Sequence, residues 1–253
     1  MLRHRVIPLV LIDGFSVLKT INFNERRNLG SPITVARTYN TRNIDELILL
    51  DIDASKDERS IDKFTVMDIA SELFMPLTVG GGIKTLSDIE QVLKMGADKV
   101  AINSIVVEDI KFLQSAAAEF GKQCLVVSID VIKENDVYKV YSHGKRCSLP
   151  LDLFEFCQSV EQNGAGELLI NSVDLDGKQT GVDLSLATLI SDMVSIPVII
   201  AGGVSSPKNC AEAIQAGASA VAAASLFHFT SFTPDDCREE MALQGIPVRN
   251  KAN

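Results

Sequence analysis

Two glycine-rich strand ends, 121 residues apart, constrain most strongly how this chain can fold. They read Val79-Gly80-Gly81-Gly82-Ile83 and Ile200-Ala201-Gly202-Gly203-Val204, and a Gly-Ala pair follows each of them at the same distance. When the segments beginning at positions 78 and 199 are aligned over 27 residues, seven positions are identical. We therefore predict a duplicated half-barrel, because two equivalent halves can close into a ring.

Short apolar segments alternate with amphipathic segments along the chain, and several are apolar throughout, as strands buried on both faces are. Amphipathic stretches separate these apolar segments, among them Leu151–Glu161, Leu184–Met193 and a helix predicted to be capped by Ser87. The polar stretch Lys133–Arg146 predicts a hairpin. Strand–helix alternation predicts an α/β fold, a single (β/α)8 TIM barrel over residues 1–253 with an internal twofold half-barrel repeat. An open doubly wound sheet is the alternative, and the repeat argues against it. The predicted strands are Val6–Ile12, Glu46–Asp51, Leu77–Gly80, Lys99–Asn103, Cys124–Asp130, Glu167–Asn171, Pro197–Ala201 and Ala220–Ala224.

Composition and charge narrow the class of protein. The 253 residues, 46% of them hydrophobic, suffice for a barrel core, and the net charge of −9 argues against a nucleic-acid partner. The five scattered cysteines form no CxxC or Cys/His cluster, which indicates reduced thiols and no metal site. The apolar run before Asp13 is too short for a signal segment or a membrane span. We expect a cytoplasmic protein that has no membrane partner and needs no cofactor.

Glycines that follow a strand and lead into a helix offer backbone N–H groups to an anion. Two such sets related by a twofold repeat predict a phosphorylated small-molecule ligand with two phosphates. The alternative is that tight turns require glycine for backbone reasons alone. The predicted phosphate-binding residues are Gly82, Asn103 and Ser104 in one set, and Gly177, Gly203, Ala224 and Ser225 in the other.

A series of short motifs extends along nearly the whole chain. They are Asn22-Phe23, Asp45-Glu46-Leu47, Leu50-Asp51-Ile52, residues 78–83, 96–100, 102–104 and 164–169, Asp174, Asp176-Gly177, residues 224–228 and residues 245–249. Together they resemble the cyclase (synthase) subunit of imidazole glycerol phosphate synthase. The resemblance implies a (β/α)8 barrel that receives ammonia from a class I glutamine amidotransferase. It further implies closure of an imidazole ring on a bis-phosphorylated substrate in histidine biosynthesis.

One catalytic position departs from the pattern of this family. Cyclases carry two catalytic aspartates at the ends of strands one and five, and the resemblance places Asp130 at the second position but Leu11 at the first. Asp176 is a further acid–base candidate, and Asp13 could replace the missing carboxylate only after a two-residue shift of strand one. Because ring closure in the cyclases needs an acid and a base on opposite sides, we expect severely reduced cyclase turnover. Passage of ammonia does not need both groups.

A second group inside the family fits this chain better. These paralogues accompany sugar amidotransferases of surface-polysaccharide clusters, and the segments Lys19–Phe23 and Leu50–Ser55 resemble them. The resemblance implies a subunit that channels ammonia from a glutaminase for acetamidino-sugar synthesis, with a separate ATP-using sugar amidotransferase as a second candidate partner. The alternatives are an active imidazole glycerol phosphate synthase cyclase and a non-catalytic scaffold that activates the glutaminase.

Four charged residues stand at the N-terminal starts of predicted strands. They are Arg5, Glu46, Lys99 and Glu167. Burying such charges costs several kcal/mol each unless they pair, and they match the salt-bridged ammonia gate of the family. A purely structural ring is the alternative. Asp98 and Gln123 lie on the same predicted face, where the family docks its glutaminase.

Overall fold

The computed structural model describes residues 3–21 and 25–249, so the motif Asn22-Phe23 lies outside the described residues. The strands are β1 Arg5–Ile12, β2 Val17–Ile21, β3 Glu25–Gly30, β4 Leu47–Asp51, β5 Leu77–Gly80, β6 Lys99–Ile102, β7 Leu125–Glu134, β8 Val137–Ser142, β9 Cys147–Asp152, β10 Glu167–Ser172, β11 Val198–Ala201 and β12 Ala220–Ala223. The helices are α1 Pro32–Thr41, α2 Lys63–Glu72, α3 Leu86–Lys94, α4 Ser104–Glu108, α5 Lys111–Phe120, α6 Leu153–Gln162, α7 Leu184–Ser191, α8 Pro207–Gln215, α9 Ser225–Phe229 and α10 Pro234–Leu243, with a 3₁₀ turn at Lys122–Cys124.

Eight of the strands form a closed parallel barrel. Its order is β1, β4, β5, β6, β7, β10, β11 and β12, and β12 pairs with β1 to close the ring. Helices connect the successive barrel strands, so the predicted (β/α)8 TIM barrel is confirmed. The antiparallel pair β2–β3 follows β1, and the antiparallel strands β8 and β9 follow β7.

The internal repeat is visible in the elements themselves. Strands β5 and β11 start 121 residues apart, as do helices α3 and α8 and helices α4 and α9. In the first half Leu11 is paired with Leu50, and in the second half Asp130 is paired with Asn171. Because Leu50 and Asn171 are themselves 121 residues apart, Leu11 and Asp130 are structural counterparts.

Some element ends differ from the predicted ones for local reasons. Helix α3 begins at Leu86 rather than at a Ser87 cap, because the Thr85 hydroxyl accepts a hydrogen bond from the Asp88 N–H and the Asp88 carboxylate accepts one from the Thr85 N–H. The predicted hairpin at Lys133–Arg146 is present, but β9 extends it to Asp152, which caps α6.

Alternation along β1 sends its residues to two different cores. Ile7, Leu9 and Leu11 face the barrel lumen, whereas Val6, Val10 and Ile12 pack under the helices. The lumen therefore has its own small apolar cluster, enclosed by the ring of strands. Within residues 3–21 and 25–249, no helix is long and apolar enough to cross a membrane.

Candidate functional site

The four predicted gate residues form one closed ring at the N-terminal mouth of the barrel. Arg5 Nη1 lies 2.7 Å from Glu46 Oε2, and Arg5 Nη2 lies 3.0 Å from Glu167 Oε1. Lys99 Nζ lies 3.1 Å from both Glu46 Oε2 and Glu167 Oε2. Each cation thus bridges both carboxylates, and the ring closes the mouth without leaving a charge unpaired.

Burial and hydrogen bonding fix the geometry of this ring. The Glu46 side chain is only 2% exposed, and the Thr78 hydroxyl donates a hydrogen bond of 2.7 Å to its Oε1 atom. Burial opposes the charged form of Arg5, but Glu167 and Glu46 outweigh it and raise the pKa of Arg5. Thr78 was not among the residues predicted from the sequence, although its alternation with the outward-facing Val79 places it in the lumen.

An apolar lumen lies above the ring of charges. Four of its buried residues are alanines, which leave more room than the branched residues around them. They are Ala101, Ala201, Ala220 and Ala222. The same cluster also contains larger residues on neighbouring strands, including Ile7, Leu9, Ile48 and Leu169.

Asp130 lies at the other end of the lumen and is 8% exposed. Asn103 Nδ2 donates a hydrogen bond to Asp130 Oδ2 at 2.9 Å, and Asn171 Nδ2 donates one to Oδ1 at 3.3 Å. Burial raises the pKa of Asp130 to about 6, although both amides oppose that rise. A carboxyl group with that pKa can take up or release a proton near neutral pH.

The position opposite Asp130 carries a hydrocarbon side chain. Leu11 is buried in the lumen cluster beside Leu9 and Leu50. Asp13 lies beyond the end of β1, where its Oδ1 atom accepts hydrogen bonds from the N–H groups of Phe15 and Ser16. Asp13 therefore stabilises a turn and does not substitute for the missing carboxylate.

The second predicted phosphate set lines one cavity at the ends of β10, β11 and β12. Gly177, Gly203, Ala224 and Ser225 all border this cavity, which is open to solvent. Asp176 borders it too and accepts a hydrogen bond of 2.8 Å from the Thr20 hydroxyl. Two of its glycines, Gly177 and Gly203, are also required because the backbone of other loops passes close to them.

Glycine is required at these turns because another segment of backbone passes very close. A Cβ atom at Gly177 would lie 2.2 Å from the Thr20 carbonyl oxygen, and one at Gly203 would lie 2.1 Å from that of Gly181. In the first predicted set, a Cβ at Gly82 would lie 2.1 Å from the Arg59 carbonyl oxygen. The Asn103 side chain of that set is directed at Asp130, so only its backbone is available to an anion.

Two ion pairs lie at the C-terminal mouth, and sequence reasoning did not predict either of them. Arg26 forms a bidentate ion pair with Asp53, which ties hairpin β2–β3 to the loop after β4 and lowers the pKa of Asp53. Arg59 Nη1 lies 2.6 Å from Asp51 Oδ2. Burial, together with the charge of Arg26, lowers the pKa of His143 in the turn between β8 and β9.

The predicted partner-interface residues lie at the N-terminal end of the barrel. Asp98 and Gln123 are both exposed, and Asp98 Oδ2 accepts a hydrogen bond of 2.9 Å from the N–H of Leu77 at the start of β5. Across the described ranges, no three His, Cys, Asp or Glu side chains converge as a metal site would require.

Comparison with known proteins identifies the family of this chain. Residues 5–233 match the family model described as "Histidine biosynthesis protein". Over 249 residues the chain is 47% identical to a protein of Campylobacter jejuni subsp. jejuni serotype O:2, named provisionally as imidazole glycerol phosphate synthase subunit hisF2. The match covers 98% of this chain and 99% of that protein. The chain therefore belongs to the histidine-biosynthesis protein family, as a HisF-like synthase subunit.

Proposed function

We propose that this protein is the ammonia-conducting synthase-type subunit of a glutamine amidotransferase complex, and that it serves acetamidino-sugar synthesis for a surface polysaccharide. Ammonia from a class I glutaminase would enter at the charged ring and leave beside Asp130. The observation that carries the proposal is the closed ring of Arg5, Glu46, Lys99 and Glu167 across an apolar lumen.

The ring has the chemistry of a gate. Its two cations each contact both carboxylates, so one contact can break while the partner charge stays paired. Crossing the apolar lumen costs a neutral molecule the size of ammonia little free energy, whereas the cost of desolvation would exclude its charged form. The exposed Asp98 and Gln123 supply polar docking groups for the glutaminase on the same face.

The arrangement at the exit supports conduction better than ring closure. With Leu11 in the lumen and Asp13 in a turn, the wall opposite Asp130 carries no carboxylate at the family's catalytic position. Removing one general acid or base commonly costs about 10²–10⁴-fold in rate. An active cyclase and a scaffold that only activates the glutaminase are the alternatives that the experiment below separates.

The test is a reconstituted complex of this chain, a class I glutaminase and an ATP-using sugar amidotransferase. Glutamine labelled with ¹⁵N in its amide supplies nitrogen against a background of unlabelled ammonium, and mass spectrometry measures the label in the product. Conduction predicts that the label is retained whatever the ammonium concentration. Lys99→Ala removes the cation between Glu46 and Glu167 and should lower retention several-fold, while product formation from free ammonia stays unchanged.

Lys94→Ala is the matched control, because Lys94 pairs with Glu90 on the exposed face of α3, away from the lumen. It should behave as the wild type in both assays. If Lys99→Ala changes the glutamine-dependent and ammonia-dependent reactions equally, or changes neither, the ring is only structural. Retention that never exceeds the label fraction of bulk ammonia would leave the scaffold as the better explanation.

A further inference from the structure

Three large apolar side chains lie exposed beside the C-terminal mouth of the barrel. Phe15 is 82% exposed, Phe64 is 76% exposed and Met67 is 52% exposed. Phe64 and Met67 are three residues apart on α2, so their side chains lie on the same face of that helix. The Thr65 hydroxyl donates a hydrogen bond of 3.3 Å to the Gly14 carbonyl oxygen, which holds the turn that carries Phe15 against the first turn of α2. The three side chains therefore belong to one exposed surface, which we call the apolar patch.

The internal repeat provides a comparison for this patch. Helix α7 takes in the second half the place that α2 takes in the first, and the two helices begin 121 residues apart. The buried positions of both helices are apolar. The positions of Phe64 and Met67 correspond to Ser185 and Thr188 on α7, which are exposed as well. The half-barrel fold therefore does not require apolar side chains on this face, and folding alone does not explain Phe64 and Met67.

The apolar patch lies at the end of the barrel from which ammonia would leave. Phe15 follows the end of β1 by three residues, and α2 follows the loop that leaves β4. Asp130 lies at the same end of the lumen. Ammonia that escapes into neutral water takes up a proton, and the ammonium ion is no longer a nucleophile. An enzyme that uses this ammonia therefore has to receive it directly at the C-terminal mouth.

The size of the patch suits the centre of a transient interface better than a permanent dimer of two copies. Large side chains of this kind bury roughly 150–250 Å² each, so the three offer on the order of 400 Å² at their observed exposure. A stable interface needs about 800 Å² from each partner. Exposed charges of both signs, including Lys63 and Asp57, adjoin the patch and supply the polar surroundings that interfaces have around an apolar centre.

We propose that Phe15, Phe64 and Met67 form the apolar centre of a docking surface for the enzyme that consumes the ammonia. This enzyme would cover the C-terminal mouth while the glutaminase occupies the opposite end. The inference rests on the proposed function and adds to it the surface that the second partner uses. Docking removes the three side chains from water, and it aligns the exit beside Asp130 with the acceptor site of that enzyme.

The experiment measures the affinity of the full chain, in complex with the glutaminase, for the ATP-using sugar amidotransferase by biolayer interferometry. Phe64→Ser combined with Met67→Thr gives α2 the side chains that α7 carries at the corresponding positions. This double variant should weaken amidotransferase binding about tenfold or more, because a few side chains at the centre of an interface carry most of its binding free energy. Phe15→Ser should weaken it in the same direction. Affinity for the glutaminase and the melting temperature should not change, since the replaced side chains are exposed and lie at the other end of the barrel.

Ser185→Ala combined with Thr188→Ala is the matched control, because it alters the same face of α7, and it should bind as the wild type does. The docking surface is overturned if the α2 double variant binds the amidotransferase as tightly as the wild type, or if the wild type does not bind it. It is also overturned if sedimentation shows that the wild type self-associates through these residues and both proteins bind the amidotransferase equally, since the patch would then bind a second copy. Failure of conduction is detected separately by the effect of Lys99→Ala on ¹⁵N retention, because Lys99 lies at the opposite mouth.

Discussion

Asp130 shows at the scale of one residue how burial sets both chemistry and stability. Its pKa in the folded chain is about 6, against an ordinary value of 3.8, because the carboxyl group is desolvated. The folded state therefore binds a proton more tightly than the unfolded state does. The contribution of Asp130 to the free energy of unfolding is largest at low pH and is lost as the pH rises from about 4 through 6.

Asp130→Asn should accordingly stabilise the protein more at pH 8 than at pH 5. The pKa shift implies a difference of about 1 kcal/mol between the two pH values in the free energy of unfolding, measured with urea. Asp136→Asn is the control, because Asp136 is exposed in the turn between β7 and β8, and its effect should not depend on pH. An Asp130→Asn effect of equal size at both pH values would contradict the raised pKa.

At the scale of elements, the ion pair of Arg26 with Asp53 is one of several contacts that hold hairpin β2–β3 over the barrel mouth. Arg26 of β3 binds Asp53, and Phe229 of α9 lies under the Lys19 ammonium at 4.6 Å. Arg26→Ala should leave the barrel folded but loosen the hairpin, because Asp53 then has no cation within the hairpin to bind. Hydrogen exchange of residues 17–21 and 25–30 should become several-fold faster.

The matched comparison for the hairpin is Arg37→Ala, which removes an exposed pair with Glu72 between α1 and α2. Surface pairs of that kind contribute little, so exchange in β2 and β3 should stay as in the wild type. Equal exchange in both variants would mean that the aromatic contact with Phe229 holds the hairpin and that the ion pair does not.

The elements also show what the sequence could and could not predict. All eight barrel strands were predictable, because strands buried on both faces are continuously apolar. Hairpin β2–β3 was not predicted, since the run Glu25-Arg26-Arg27-Asn28 is polar and has no two-residue alternation. Its position depends on the ion pair with Asp53, a contact between residues far apart in sequence. Single-sequence patterns do not report such contacts.

In the candidate site, too, features set by strand positions were predictable, whereas contacts between distant loops were not. The meeting of Arg5, Glu46, Lys99 and Glu167 in one ring was predictable, because the strand starts of a barrel must meet at one mouth. Three other features were not predictable from the sequence. They are the direction of the Asn103 amide, the buried Gln179 Nε2 atom that has no partner among the described residues, and the ion pair of Arg59 with Asp51. Each depends on how loops from different βα units meet above the barrel. Their packing is set by close backbone approaches such as that of Gly82 to the Arg59 carbonyl oxygen.

At the scale of the whole molecule, the two halves are alike in framework and different in chemistry. Strand register makes Leu11 the counterpart of Asp130, and Leu50 the counterpart of Asn171. The second half therefore keeps a carboxylate with a supporting amide where the first half has two leucines. The charged ring at the opposite end draws Glu46 from one half and Glu167 from the other. The ring therefore uses both halves, whereas the buried carboxylate of Asp130 belongs to one.

This asymmetry predicts that the chain does not restore histidine synthesis to a cyclase-deficient auxotroph. Growth on medium without histidine is the measurement, and a cyclase with both aspartates is the positive control. Leu11→Asp should give no more than slow growth, because Leu50 cannot donate the hydrogen bond that Asn171 gives Asp130. The buried carboxylate would also cost stability. Full growth with the unaltered chain, or robust turnover with free ammonia, would instead make it a working cyclase that needs only one of the two carboxylates.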